Sequence, residues 1–123
     1  MRILLVEDHS DTLQFVRVAL EARGHEVRAA TSAEEAITLG LAEAFDLLLC
    51  DIMLGDGPDG WDVMRTLHER TGIRGIAISA MAYAADVARS REAGFAAHLS
   101  KPVDLDLLEA TIRDVTPQRC ESR

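Results

Sequence analysis

The sequence is short of the residues that commit a chain to many specialised chemistries. Its two cysteines, Cys50 and Cys120, form no CxxC pair. Neither a disulfide framework nor a zinc site therefore organises the chain, and a reducing cytosol is the compartment that fits. Aromatic residues make up only 4%, too few for the stacking platforms that hold flavins or single-stranded bases. Basic residues are outnumbered, 13 Lys and Arg against 21 Asp and Glu, for a net charge of −8. Such a surface repels phosphate backbones and anionic lipid, so neither direct nucleic-acid binding nor membrane docking is expected. No apolar run approaches the roughly 20 residues of a membrane helix. The apolar start at 3–6 meets Glu7 and Asp8 at once, so neither membrane insertion nor a signal peptide is expected.

What is present is ordinary globular composition, 48% hydrophobic and 28% charged over 123 residues, which suits one domain with one core. Apolar bursts alternate with amphipathic stretches along the whole length. Strands are expected near 2–6, 25–30, 45–50, 74–79 and 95–99 (β1 to β5). Runs such as Ile3-Leu4-Leu5-Val6 and Leu47-Leu48-Leu49-Cys50 are apolar at every position, as in parallel strands covered on both faces. The second, His25 to Ala30, is mixed and suits a sheet edge. Between them lie helices at 11–23, from a Ser32-to-Glu35 capping box to about Leu41, at 61–70 and at 84–93. A last one carries Leu107, Leu108, Thr111 and Ile112 and is closed by Pro117; these are α1 to α5. Gly24, Gly72 and Gly94 supply C-terminal stops. Five βα units with right-handed crossovers predict an α/β, flavodoxin-like, doubly wound three-layer sandwich with a parallel sheet in the order 2-1-3-4-5. The domain is expected to span 1–115, with 116–123 a flexible polar tail.

In such a sheet ligands bind beyond the carboxyl ends of the strands, at the point where strand order reverses, here between β1 and β3. Glu7 and Asp8 end β1, Asp51 ends β3, Ser79 ends β4 and Lys101 follows β5. Two like charges 4 Å apart repel by about 4 kcal/mol at an effective dielectric of 20. Three clustered acids therefore call for a hard cation, Mg²⁺ or by the same chemistry Mn²⁺, which leaves coordination positions open to a phosphoryl oxygen. Lys101 is a compact cation for the phosphoryl group, and the Ser79 hydroxyl can donate to it. Each residue alone has a plain structural role: helix capping for Glu7 and Asp8, a turn for Asp51, a strand or loop end for Ser79 and Lys101. Together they describe a phosphoryl-transfer site with a carboxylate nucleophile.

The constellation resembles the receiver domain of bacterial two-component response regulators. The likeness covers about 2–115 and rests on Ile3-Leu4-Leu5-Val6-Glu7-Asp8, Phe45-Asp46-Leu47-Leu48-Leu49-Cys50-Asp51, Ser79-Ala80, Glu92-Ala93-Gly94 and Ser100-Lys101-Pro102. The resemblance implies a non-enzymatic phosphoacceptor switch in a phosphorelay, with Asp51 taking the phosphoryl group from a sensor histidine kinase or phosphotransfer protein. Asp8, Asp51 and the backbone carbonyl of Met53 would bind Mg²⁺, Glu7 acting largely through water. Ser79 and Lys101 would contact the phosphoryl group and signal to the α4–β5–α5 face, where a downstream protein target binds. The stretches 75–79 and 90–103 look most like receivers attached to hybrid histidine kinases, although a separate single-domain regulator fits as well.

The chain departs from the family pattern in places. Gly55 stands where many receivers have proline, and Gly60 comes one residue late, so the loop from Gly55 to Gly60 is long; Asp56 and Asp59 are expected to be turn residues there. His98 occupies the position of the family's aromatic switch residue, and it reads equally well as a switch or as a half-buried, hydrogen-bonded imidazole. Met53 and Met81 are placed to screen an acyl phosphate from water. His9, His25 and His68 have no ligand spacing and are expected at the surface. Trp61 is expected to pack, and Cys50 to lie in the core. Two other readings compete: a pseudo-receiver that binds partners without phosphorylation, and an aspartate-nucleophile phosphohydrolase. The second would need an Asp where Met53 stands.

Overall fold

A computed structural model describes residues 1–54, 59–80 and 84–116. Strands and helices alternate as β1 (Arg2–Val6), α1 (Ser10–Ala22), β2 (Glu26–Ala30), α2 (Ala33–Ala42), β3 (Leu47–Asp51), α3 (Gly60–Thr71), β4 (Arg74–Ser79), α4 (Ala84–Ala93), β5 (Phe95–Ser100) and α5 (Leu105–Val115). All four strand pairings are parallel, in the order β2-β1-β3-β4-β5, as expected from the apolar runs. The mixed second strand is indeed an edge.

The uniformly apolar strands serve two cores because successive side chains point to opposite faces. Leu4, Val6, Leu48 and Cys50 pack with residues of α2 and α3 and with Ala93 of α4. Ile3, Leu5, Leu47 and Leu49 pack instead with α1 and α5. The third strand runs one residue further than expected, because Asp51 still pairs with Ile78 of β4. A register shift between Gly75 and Ile76 skips one residue of β5, so that Gly75 pairs with Phe95 and Ile76 with Ala97. Phe95 thus joins the α4 side while Ala97 and Leu99 pack on the α1 and α5 side. His98, opposite Ala77, is returned to the α4 side.

Several local expectations change. Ser32 accepts the Glu35 N–H at 3.1 Å, but the Glu35 carboxylate takes the N–H of Thr31 at 2.8 Å, so the expected capping box is one-sided. The reciprocal box opens α3, where Asp59 and Asp62 each accept the other's N–H at 3.2 Å. Asp59 is thus a helix cap. Its N–H, first among several donors, holds the Asp62 carboxyl below the usual range. His9 and His68 are exposed. His25, just before the edge strand, is by contrast half-buried between the N-terminal amine (3.4 Å) and Glu109 of α5 (3.3 Å). Among the described residues, no helix is long and apolar enough to cross a membrane. Met81, Asp56 and residues 117–123 of the expected tail lie outside the described residues.

Candidate functional site

The carboxyl ends of β1 and β3 are adjacent, since Val6 pairs with Cys50, and the residues that follow each strand meet there. Carboxylate oxygens of Glu7, Asp8 and Asp51 lie within 4.8 Å of one another. Glu7 and Asp51 are 3% and 5% exposed, whereas Asp8 opens to solvent. An all-oxygen donor set with one solvent-facing member fits a hard divalent cation that keeps some of its waters.

Lys101 reaches this cluster from beyond β5. Its Nζ is 3.0 Å from Glu7 Oε1 and 3.0 Å from Asp51 Oδ2. Its backbone N–H donates to the Ser79 carbonyl at 2.9 Å, which fixes the lysine to the end of β4, and a cis peptide follows it before Pro102. Asp51 Oδ1 accepts the Met53 N–H at 3.2 Å. Glu7 Oε2 accepts the His9 N–H at 3.1 Å, so Glu7 serves both the helix entry and the cluster. Ser79 is 1% exposed, on the strand between Asp51 and Lys101.

The electrostatics follow from burial and from the acid excess. Burial pushes the Glu7 carboxyl up, and the charge of Asp51 adds to this, against the lowering effect of Lys101. Burial alone would lower Lys101, but its hydrogen bonds to Glu7 and Asp51 outweigh it and raise the ammonium above its usual value. Lys101 is therefore firmly charged. Cys50 is fully buried, its thiol donating to the Asp51 carbonyl at 3.3 Å. Burial, followed by the neighbouring carboxylates, holds that thiol well above its usual range.

The helix after the site is set close by Gly60. A Cβ there would overlap the Asp51 carbonyl oxygen and stand 2.8 Å from Ile52 Cα, and the Gly60 N–H donates to the Ile52 carbonyl at 2.8 Å. On the other flank a groove of about 520 Å³ is lined by Asp11, Thr12, Phe15, Lys101, Pro102 and Val103, with Phe15 exposed at its edge.

Glu7, Asp8, Asp51 and Lys101 are thus brought together as expected, with Ser79 on the neighbouring strand end. His98 is not in that cluster. It is half-buried beside α4, its Nδ1 2.8 Å from Ser90 Oγ. Trp61 packs in the core as expected and also donates Nε1–H to the same hydroxyl at 2.9 Å. Ser90 carried no signal in the sequence, since a serine inside an amphipathic helix is unremarkable until its neighbours in space are known.

Comparison with known proteins bears on the whole chain. The family model described as response regulator receiver domain matches residues 3–113. The transcriptional regulatory protein HprR of Escherichia coli K12 is 31% identical over 113 residues, 92% of this chain and 50% of its own length. The chain therefore spans about half the length of such curated relatives. A solved CheY-like response regulator receiver domain protein from Methanospirillum hungatei JF-1 has a TM-score of 0.86 at 32% identity, covering 92% of this chain and 90% of that one. A two-component response regulator from Clostridium difficile has a TM-score of 0.88 at 24% identity, covering 93% of both chains, a likeness of fold.

Proposed function

The chain belongs to the response regulator receiver domain family of two-component systems, and on that premise we propose that Asp51 is the phosphoacceptor of a signalling switch. The observation that carries the assignment is the 3.0 Å contact of Lys101 Nζ with Asp51 Oδ2 inside a cluster of three carboxylates. The Asp51 carboxylate attacks the phosphorus of a phosphohistidine on a sensor kinase or phosphotransfer protein. A P–O bond forms, the P–N bond breaks, and the imidazole leaves with the electron pair and takes a proton from solvent. Lys101 faces the charge on the transferring group, and the Ser79 hydroxyl donates to one of its oxygens. Asp8, Asp51 and the Met53 carbonyl would hold Mg²⁺, or Mn²⁺, with Glu7 acting through water, and the ion would further neutralise phosphoryl charge.

The domain is a stoichiometric acceptor and turns over no external substrate. The apolar groove beside Lys101 suits the donor protein, and the α4–β5–α5 face, with His98 on its strand, suits a downstream protein target. A cytoplasmic setting follows from such a donor, and the site is the same in a hybrid kinase or in a separate regulator. The phosphohydrolase reading is disfavoured because Met53, 56% exposed, offers a thioether with no proton to give. That exposed side chain instead suits a screen over the acyl phosphate. A pseudo-receiver has no use for a lysine held on a buried aspartate.

Wild type and Asp51→Asn are treated with phosphoramidate and Mg²⁺ and weighed intact. Wild type gains one phosphoryl group and the variant none; equal gain in both, or none in wild type, overturns the assignment.

A further inference from the structure

We propose that Ser90 is a positioning residue, the centre of a buried relay from Trp61 through Ser90 to His98 that ties α4 to α3 and β5 and must be remade when the switch responds to phosphorylation. Three elements, α3, α4 and β5, converge on one hydroxyl. The Trp61 indole on α3 donates to Ser90 Oγ at 2.9 Å, and His98 Nδ1 on β5 lies 2.8 Å from the same oxygen. Ser90 is wholly buried and Trp61 6% exposed, so water is not there to replace either bond. The residue before Ser90 grips the same indole from its face, with the Arg89 guanidinium carbon 4.1 Å from the ring centroid.

The donor inventory fixes the direction at the Trp61 end of the relay. An indole N–H can only donate, so it occupies an acceptor position of the serine oxygen. The serine keeps its own proton and one further acceptor position; the proposed relay gives that proton to Nδ1, which leaves neutral His98 protonated at Nε2. One side chain on α4 thereby selects the tautomer and rotamer of a side chain on β5. His98 pairs with Ala77 and Ser100 with Ser79, so the relay ends two residues along the sheet from the hydroxyl proposed to meet the phosphoryl group. A shift of α4 against β5 stretches the Ser90–His98 bond directly. This coupling to phosphorylation rests on the function proposed above, whereas the tie itself is a property of the unmodified domain.

The test uses the chain's lone tryptophan. In ¹⁵N spectra of wild type at pH 8, His98 should show an unprotonated, hydrogen-bonded Nδ1 and a protonated Nε2, and the indole N–H should exchange slowly. Ser90→Ala should erase the tautomer preference and speed exchange of the indole and of α4 amides by at least about tenfold, as loss of one buried hydrogen bond implies, while β1 amides stay as in wild type. Trp61→Phe, which keeps a ring in the core, should retain the His98 signature. Wild type with its proton on Nδ1 overturns the assigned direction of the relay, and Ser90→Ala indistinguishable from wild type overturns the tie. With phosphoramidate and Mg²⁺, the His98 and indole signals should move in wild type and stay fixed in Asp51→Asn. If mass shows the phosphoryl group bound and these signals do not move, the coupling is overturned. If no phosphoryl group binds, it is the assignment of Asp51 that fails, and the tie is still decided by Ser90→Ala.

Discussion

Lys101 balances two carboxylates, and Glu7 and Asp51 are mostly out of water. Removing one partner of a fully buried pair costs about 3–5 kcal/mol and of an exposed pair about 0–1. With the lysine side chain 23% exposed, Lys101→Met should cost about 1–3 kcal/mol in urea unfolding without metal, and added Mg²⁺ should restore part of it. Glu7→Gln should act in the opposite sense. The folded Glu7 carboxyl is raised, so the folded state holds that proton more tightly than the unfolded chain does. The stabilisation this brings is complete below the unfolded value and is lost as pH rises through the folded one. Ionised Glu7 is thus a burden at neutral pH, and Glu7→Gln should unfold at higher urea than wild type at pH 7, the gap closing below about pH 4. The carboxylates, the lysine and Ser79 were legible in the sequence because each stands at a strand end, where topology alone decides who meets whom. The half-buried His25 and the central Ser90 were not, since each owes its role to partners 84 and 29 residues away.

At the scale of elements, the end of β3 and the start of α3 are held together by the absence of a side chain. Gly60→Ala places a methyl against the backbone of Asp51 and Ile52, and backbone, unlike a side chain, cannot rotate aside. The variant should lose about 1–3 kcal/mol, as overpacking does, and should take up phosphoryl from phosphoramidate more slowly, because the strand end that yields carries Asp51; urea unfolding and a mass time course check both. Strands were readable from runs apolar at every position, and helices from period-3.6 patterns and glycine stops. Two details were not. The step at Gly75/Ile76 leaves no mark in the apolar pattern of so short an edge strand. The box at Ser32 is one-sided because Glu35 takes the N–H of Thr31, and the reciprocal box lies instead at the start of α3, between Asp59 and Asp62.

For the molecule as a whole, a net charge of −8 with three acids at one point means that a cation relieves more than local repulsion. Mg²⁺ at about 100 times its Kd adds about 2.7 kcal/mol, a rise in melting temperature on the order of 10 °C for a chain of this length. The rise should be reversed by a chelator, greater at pH 8 than at pH 4, where the raised Glu7 carboxyl holds its proton, and lost in Asp8→Asn. The architecture was the most legible level, since five βα units with one crossover hand leave few alternatives. Cys50 carries a last consequence of the same packing. Fully enclosed and kept protonated beside the acids, it is inert to alkylating reagents while β3 stays in the sheet. In a Cys120→Ser background, each labelled molecule records one excursion in which the central strand came free, so the chain carries its own stopwatch for global opening.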